Sequence, residues 1–250
     1  MTFDLIIPCY NPPKDWEQKL IAGIFSLREI YPELFQRLIS IVVVNDGSTV
    51  HVTGSSLSVL AGSGLPFKII HNPVNRGKGF SIREGVRRSA ADLCIYTDLD
   101  LPFGQDSIQD IFTALEKGAD IALGMRSKKA YYQHAPLARK WMSMALMFLN
   151  KYALKIPFED SQAGIKGFNG FGRALFLQTS TNEFLFDLEF IKMTMAYGDM
   201  RVVPVAVTNR SELLLSRFGV KIVLRESLNF LLIIFKTNYG FRSKKNLAWN

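Results

Sequence analysis

The sequence predicts an α/β domain built on a mostly parallel central sheet flanked by helices, and three observations carry that expectation. Four apolar runs, Phe3 to Cys9, Leu38 to Val44, Phe67 to Ile70 and Leu93 to Tyr96, are separated by stretches of helical pattern. The first, second and fourth are rich in Val, Ile and Leu with little alternation, as in strands covered on both faces by helices. Each run ends in a polar or glycine-bearing cluster: Tyr10-Asn11, Asn45-Asp46-Gly47-Ser48, Asn72 to Gly79, and Thr97-Asp98-Leu99-Asp100. In a parallel sheet these clusters share the carboxyl edge, where open α/β sheets bind ligands.

Helices are expected over Trp16 to Glu29, Val52 to Ala61, Ser81 to Ser89 and Ser107 to Lys117, the last leading into a fifth strand, Ile121 to Gly124. This succession of strand, helix and strand builds parallel pairs through right-handed crossovers. After Arg126 the alternation stops. Pro136 to Leu154 reads as a long helix rich in Trp, Met, Phe and Tyr, Ala163 to Phe168 as a strand, Phe186 to Tyr197 as a helix, and Arg201 to Thr208 as an edge or final strand. The organisation is one structural unit, residues 1–216, extended by an amphipathic helix and basic tail over residues 217–250. Phe218 to Phe235 is strongly apolar but interrupted by Lys221, Arg225 and Glu226, with Arg217, Lys221 and Arg225 on one helical face. Two readings of it stand: a helix at a bilayer surface, or one docked on the body of the protein or on a second subunit.

A chain of 250 residues, 48% apolar, closes a large core. Its net charge of +8 favours a polyanionic partner. Nucleic acid is disfavoured, because the basic residues are dispersed and no recognised nucleic-acid module is present. The two cysteines, Cys9 and Cys94, lie in or at the end of apolar runs and are expected as buried, reduced thiols. The N-terminus opens directly into the first strand, so no secretory leader is expected, and no run reaches the roughly 18 to 20 apolar residues of a membrane span.

Two carboxylates one residue apart just past a strand, Asp98 and Asp100, suit a hard divalent cation such as Mg²⁺ or Mn²⁺, which keeps positions open for substrate phosphates. A cation placed there stabilises the charge that develops on a departing nucleoside diphosphate. Asp46 can accept hydrogen bonds from a ribose or base edge while Gly47 permits a tight turn, and Ser48 or Thr49 can cap the following helix. Asn75-Arg76-Gly77-Lys78-Gly79 puts two cations and two glycines ahead of a helix, as a diphosphate cradle or as a helix N-terminus with anion-binding amides. It lacks the glycine spacing of the dinucleotide fingerprint and of a P-loop. His51, His71 and His134 lie in or beside loops and read as surface or capping residues.

Ile7-Pro8-Cys9-Tyr10-Asn11, Val43 to Thr49, Asn75 to Gly79 with Arg83-Glu84-Gly85, and Asp98-Leu99-Asp100-Leu101 together resemble glycosyltransferase family 2, and within it the dolichyl-phosphate and polyprenyl-phosphate sugar synthases. The resemblance implies the GT-A fold of nucleotide-diphospho-sugar transferases and inverting transfer of a hexose from a UDP- or GDP-sugar, with a divalent metal at Asp98 and Asp100. It places Pro8, Tyr10, Asn11 and Asp46 at the nucleoside, and Asp98 and Asp100 with Lys78 at the diphosphate. Gly124-Met125-Arg126 matches the family's arginine after a strand, and Arg139 and Ser143 match its acceptor-phosphate contacts. Asp160 to Lys166, with Asp160 and Gln162, is similar to the family's acidic segment near the sugar, and Phe186-Asp187-Leu188-Glu189 to the helix start after it. There Asp187 and Glu189 either bind sugar hydroxyls or favour the helix N-terminus. The chain departs from the family at Pro12-Pro13, where an acidic residue is common, and at Pro102-Phe103, where a polar residue is common. The family's lid contact is matched by Ser216-Arg217, with Arg210 nearby, and no C-terminal membrane anchor is expected.

A lipid phosphate is already an anionic nucleophile and needs cationic positioning, for which Arg126, Arg139, Arg210 and Arg217 are the candidates. A glycan hydroxyl, as in cell-surface polysaccharide assembly, needs a general base instead, with Asp160 first and Asp187 second. A third reading is a catalytically silent module that binds a nucleotide or a lipid head group. The favoured expectation is transfer to polyprenyl or dolichyl phosphate by a cytoplasmic protein peripheral to the inner membrane face. The apolar helix Trp141 to Leu154 and the cations Lys236, Arg242, Lys244 and Lys245 would make the membrane contact.

Overall fold

The computed structural model describes residues 1–126 and 163–208, together with Phe230 and Ile233. In chain order the elements are β1 (Phe3–Cys9), α1 (Trp16–Ile30), α2 (Pro32–Gln36), β2 (Leu38–Asp46), α3 (Gly54–Gly62), β3 (Phe67–Asn72), α4 (Lys78–Arg87), β4 (Leu93–Tyr96), α5 (Gly104–Glu116), β5 (Ile121–Arg126), β6 (Lys166–Phe168), α6 (Gly170–Phe176), α7 (Phe186–Thr194) and β7 (Val202–Val207). They form a seven-stranded sheet in the order β3-β2-β1-β4-β6-β5-β7. All neighbours are parallel except β6, which runs antiparallel to both β4 and β5.

Alternation along the strands divides the interior in two. Leu5, Ile7, Ile41, Val43, Leu93 and Ile95 face the core covered by α1, α2, α3 and α5. Ile6, Val42, Val44, Cys94 and Tyr96 face the second core under α4, α6 and α7. The apolar continuity of the first, second and fourth runs follows, because apart from Ile39 near the start of β2 these strands are covered on both faces. On α5, Ile108, Ile111, Phe112 and Leu115 recur at helical spacing and are all buried, each contributing about 1.5 to 3 kcal/mol of apolar burial. Phe230 and Ile233 are buried in the second core, so these two side chains of the C-terminal segment pack on the body of the protein.

Several boundaries differ from the sequence expectation for identifiable reasons. Helix α4 starts at Lys78 instead of Ser81, since Gly77, at φ 101°, turns the chain and its carbonyl accepts from Ser81 N at 3.1 Å. Helix α3 is capped by Thr53, not by Ser48 or Thr49: Thr53 and Ser56 exchange side-chain to backbone hydrogen bonds in a reciprocal capping box. Helix α7 ends at Thr194, where Ala196 N and Tyr197 N bond three residues back and tighten the chain out of the helix. Two short helices escape the sequence reading. Proline at the first position starts α2, and Asn169 caps α6 by accepting from Phe171 N at 2.9 Å and Gly172 N at 3.2 Å. The expected helices at Pro136 to Leu154 and Phe218 to Phe235 lie outside the described residues, apart from Phe230 and Ile233.

Both cysteines are buried and free, as expected. Burial pushes the Cys9 thiol up to about 12 against a weaker lowering by the Ser48 hydroxyl, and burial also raises Cys94. The thiolate fraction of Cys9 at pH 8 is then on the order of a thousandfold below that of an ordinary cysteine. Native protein is expected to leave both thiols unreacted with an aromatic disulfide reagent over minutes at pH 8, whereas guanidine-unfolded protein titrates two.

Candidate active site at the carboxyl edge

The ends of β1, β2, β3, β4 and β5 meet on one rim, and the loops that follow them are stitched together by side chains. Asn11, left-handed at φ 43°, accepts from Thr49 N at 2.8 Å, while its own N–H donates to Ser48 Oγ at 2.9 Å. This ties the loop after β1 to the loop after β2. Tyr10 stands half exposed beside it and Pro8 is half-buried. His71 falls within β3 and not in a loop, with Nδ1 at 3.1 Å from Asn45 Nδ2.

Asp46 is 3% exposed, and its carboxylate is committed to the next loop. It accepts from Asn72 Nδ2 at 2.8 Å, from Arg76 N at 3.1 Å through both oxygens and from Gly77 N at 2.8 Å. The sequence reading left Asp46 free to meet a ribose or base; in the structure the carboxylate is buried and shapes the rim from beneath. The expected anion-binding amides at the start of α4 are corrected as well. Gly79 N and Phe80 N donate to the carbonyl of Asn182 at 2.7 and 3.3 Å, so backbone donors of this segment are consumed within the protein. The cationic side chains remain. Arg76 lies over the Phe80 ring at 4.0 Å, and Lys78 pairs with Asp98.

Asp98 and Asp100 follow β4 on a tight turn in which Leu101 N donates to the Asp98 carbonyl at 3.0 Å and Leu101 takes φ 46°. Asp98 is about one-third exposed and Asp100 exposed. Burial of part of the side chain and then the Asp98 charge raise the Asp100 carboxyl. Burial lowers Lys78, but the carboxylates of Asp98, Asp187 and Asp100 outweigh it and hold the ammonium above its ordinary value. Beneath Asp98 lies Gly164: a Cβ there would overlap Asp98 Oδ2, so the carboxylate rests on bare backbone. Two crowded oxygen donors facing solvent fit a hard divalent cation that completes its shell from diphosphate and water, and among the described residues no larger acidic or His/Cys cluster competes.

Asp187 and Glu189 are buried and paired inside the protein. Asp187 is 4% exposed, 3.1 Å from the fully buried Lys166 Nζ, and accepts from the Tyr96 hydroxyl. Burial raises its carboxyl, against the lowering charge of Lys166. Glu189, also buried, accepts from Ser180 N at 2.9 Å, Ser180 Oγ at 2.9 Å and Thr181 N at 2.7 Å. Arg83 grips the same loop, donating to Thr179 Oγ1 at 3.2 Å, to Thr181 O at 2.8 Å and to Asn182 Oδ1. Both acids are thus engaged with internal partners. The sequence marked Arg83 and Lys166 only as members of motifs, and read Asp187 and Glu189 as sugar ligands or helix-start acids and Asp187 as a second candidate base; their pairing inside the fold, with partners up to 99 residues away, leaves no local signal. Arg126 ends β5 on the same rim, half-buried. Arg139, Ser143, Asp160, Gln162, Arg210 and Arg217 lie outside the described residues.

A parallel sheet whose carboxyl rim carries an Asp-x-Asp turn, with an antiparallel strand inserted beside it, defines a GT-A protein, the fold of nucleotide-sugar transferases. Residues 4–178 match the family model for glycosyl transferase family 2, and the chain belongs to that family. It is 26% identical over 169 residues to a dolichol-phosphate mannosyltransferase of Pyrococcus furiosus, covering 67% of this chain and 45% of the relative. A dolichyl-phosphate beta-glucosyltransferase of Trichomonas vaginalis is 26% identical over 212 residues, covering 81% and 62%. The chain thus spans less than two thirds of the length of either relative. Among solved structures, a mannosyltransferase of Pyrobaculum calidifontis in complex with GDP-Man and Mn²⁺ superposes with a TM-score of 0.60 at 16% identity, over 94% of this chain and 63% of that one.

Removing the buried acceptor of the 75–77 loop leaves several amides unpaired. Asp46→Ala is expected to destabilise the protein by about 2 to 3 kcal/mol, and hydrogen exchange should show the Arg76 and Gly77 amides losing protection ahead of the strands.

Proposed function

We propose that this chain is an inverting glycosyltransferase that moves a hexose from a UDP- or GDP-sugar to a polyprenyl or dolichyl phosphate at the cytoplasmic face of a membrane. The observation that carries the reading is the rim itself: Asp98 and Asp100 after β4, with the Lys78 ammonium against Asp98, on the edge where the six parallel strands end. The named activities of the relatives from Pyrococcus furiosus and Trichomonas vaginalis support the acceptor class. Membrane contact in this reading is peripheral; among the described residues no helix is long and apolar enough to cross a membrane.

In this mechanism Tyr10 and Pro8 border the nucleoside, on loops whose positions Asn11 and Asp46 fix. Asp98 and Asp100 would hold Mg²⁺ or Mn²⁺, which when bound would neutralise charge on the diphosphate leaving group. Lys78 passes between Asp98 and a diphosphate oxygen, its charge stabilised by the three surrounding carboxylates. An oxygen of the acceptor phosphate attacks the anomeric carbon from the face opposite the diphosphate, the bond from carbon to the diphosphate oxygen breaks, and configuration inverts. The nucleophile is already ionised, so no side chain needs to remove a proton. Arg126, with Arg139 and Ser143, orients the acceptor phosphate, and Gln162, Arg210 and Arg217 complete that side.

Incubation with polyprenyl phosphate and a panel of nucleotide sugars, with and without chelator, tests donor, acceptor and metal dependence together. Transfer only to a glycan hydroxyl, dependent on Asp160, would replace the acceptor assignment, and nucleotide binding without turnover would leave a silent module. Asp98→Ala and Asp100→Ala are expected to abolish transfer with circular dichroism unchanged; full activity in either removes the metal assignment. Lys78→Met should raise the donor KM roughly ten- to hundredfold, the loss of a charge-assisted hydrogen bond. Arg139→Ala should raise the acceptor KM and leave the donor KM near wild type.

A further inference from the structure

Lys166 is fully buried, and its ammonium is 3.1 Å from Asp187, which also accepts from the Tyr96 hydroxyl. Burying an ion pair costs several kcal/mol of desolvation per ion, and apolar side chains of similar volume commonly serve stability as well or better. The surroundings are already apolar, with Tyr96 packed against Phe168, Phe176 and Phe186. Core stability alone therefore does not account for charges at these positions, and the contacts of the pair point to what does.

The contacts within the described residues lead toward Asp98. Tyr96 precedes it by two residues on β4 and is the register partner of Lys166 on β6. Lys166 Nζ also donates to the carbonyl of Ala163 at 2.7 Å. The next residue is Gly164, whose Cα lies so close to the Asp98 carboxylate that a side chain has no room there. Asp98 is thus seated between the Lys78 ammonium and the backbone of Gly164, and Lys166 holds the carbonyl of the residue just before that glycine. We propose, building on the assignment of Asp98 to the donor site, that the buried Lys166–Asp187 pair is a positioning device for Asp98: it pins the Ala163–Gly164 backbone as the floor on which this carboxylate is held in its metal-binding orientation. Lys166, Asp187 and Tyr96 act through Asp98 and touch no substrate.

The test uses the full chain and the double variant Lys166→Met, Asp187→Asn, which removes both charges together and keeps side-chain volume. Mn²⁺ affinity is read by electron paramagnetic resonance in saturating UDP or GDP, and nucleotide affinity separately in chelator. The variant is expected to bind Mn²⁺ about tenfold more weakly, the size of effect seen when support behind a metal ligand is removed, while nucleotide affinity in chelator stays at the wild-type value. A role confined to the core would lower the melting temperature and leave the Mn²⁺ affinity of folded protein unchanged. Should the double variant fail to fold, Gly164→Ala and Tyr96→Phe carry the same test without touching either buried charge, the first pressing directly on the Asp98 seat. Mn²⁺ affinity within about twofold of wild type in the folded variants overturns the proposal, that being well short of the loss support residues produce. Absence of Mn²⁺ binding by the wild-type chain with either nucleotide overturns the donor-site assignment itself, and this proposal with it.

Discussion

The rim of this sheet is organised by a demand that backbone imposes on any folded chain: a polar group taken out of water needs a partner. The loop after β3 is held against the loop after β2 because the Asp46 carboxylate, itself almost without solvent contact, receives the amides of Arg76 and Gly77 and the side chain of Asn72. From there the constraint passes along the chain. Gly77 ends the loop in a conformation that favours glycine, α4 begins at Lys78, and its first amides are taken up by the Asn182 carbonyl. Lys78 leaves the first turn of a helix fixed at both the loop and the Asn182 side, and that is what sets its ammonium against Asp98. With the amides of Arg76, Gly77, Gly79 and Phe80 taken up, the cationic side chains of this loop are what it presents at the rim.

Two further buried acids use the same principle deeper in the second core. Glu189 and Arg83 clamp the loop of residues 179–182 from opposite sides, one accepting from its amides and one donating to its carbonyl and side-chain oxygens. Asp187 balances Lys166. Each charge is matched locally, as interiors require when ions are removed from water. These arrangements give little stability relative to apolar packing, but they allow few alternative geometries, since moving a clamped loop strands a charge.

The strands that build the sheet were legible in the sequence almost to the residue, because a strand covered on both faces announces itself by unbroken apolar character: β1 and β4 match the runs Phe3 to Cys9 and Leu93 to Tyr96. Strand direction was not legible. Nothing in Lys166-Gly167-Phe168 distinguishes an antiparallel insertion from one more parallel strand, since direction is decided by where the preceding chain arrives. At the site, the Asp-x-Asp turn and the basic loop were visible as motifs on the correct edge. The fates of Asp46, Asp187 and Glu189 were not, because the side to which a carboxylate turns depends on donors elsewhere in the fold. Asn72, Arg76 and Gly77 meet Asp46 across a strand pair, and Lys166 meets Asp187 across the sheet and helix layers.

The antiparallel course of β6 has a consequence for how such a protein can diversify. Because β5 climbs to the rim and β6 descends from it, Arg126 and Lys166 both stand at the same border, and the intervening polypeptide departs from and returns to one level of the molecule. Residues inserted or deleted between them need not disturb the pairing of any strand. The stretch between them can change in length and sequence while β1, β2, β3 and β4 keep their register, a modularity that comes from one reversed strand.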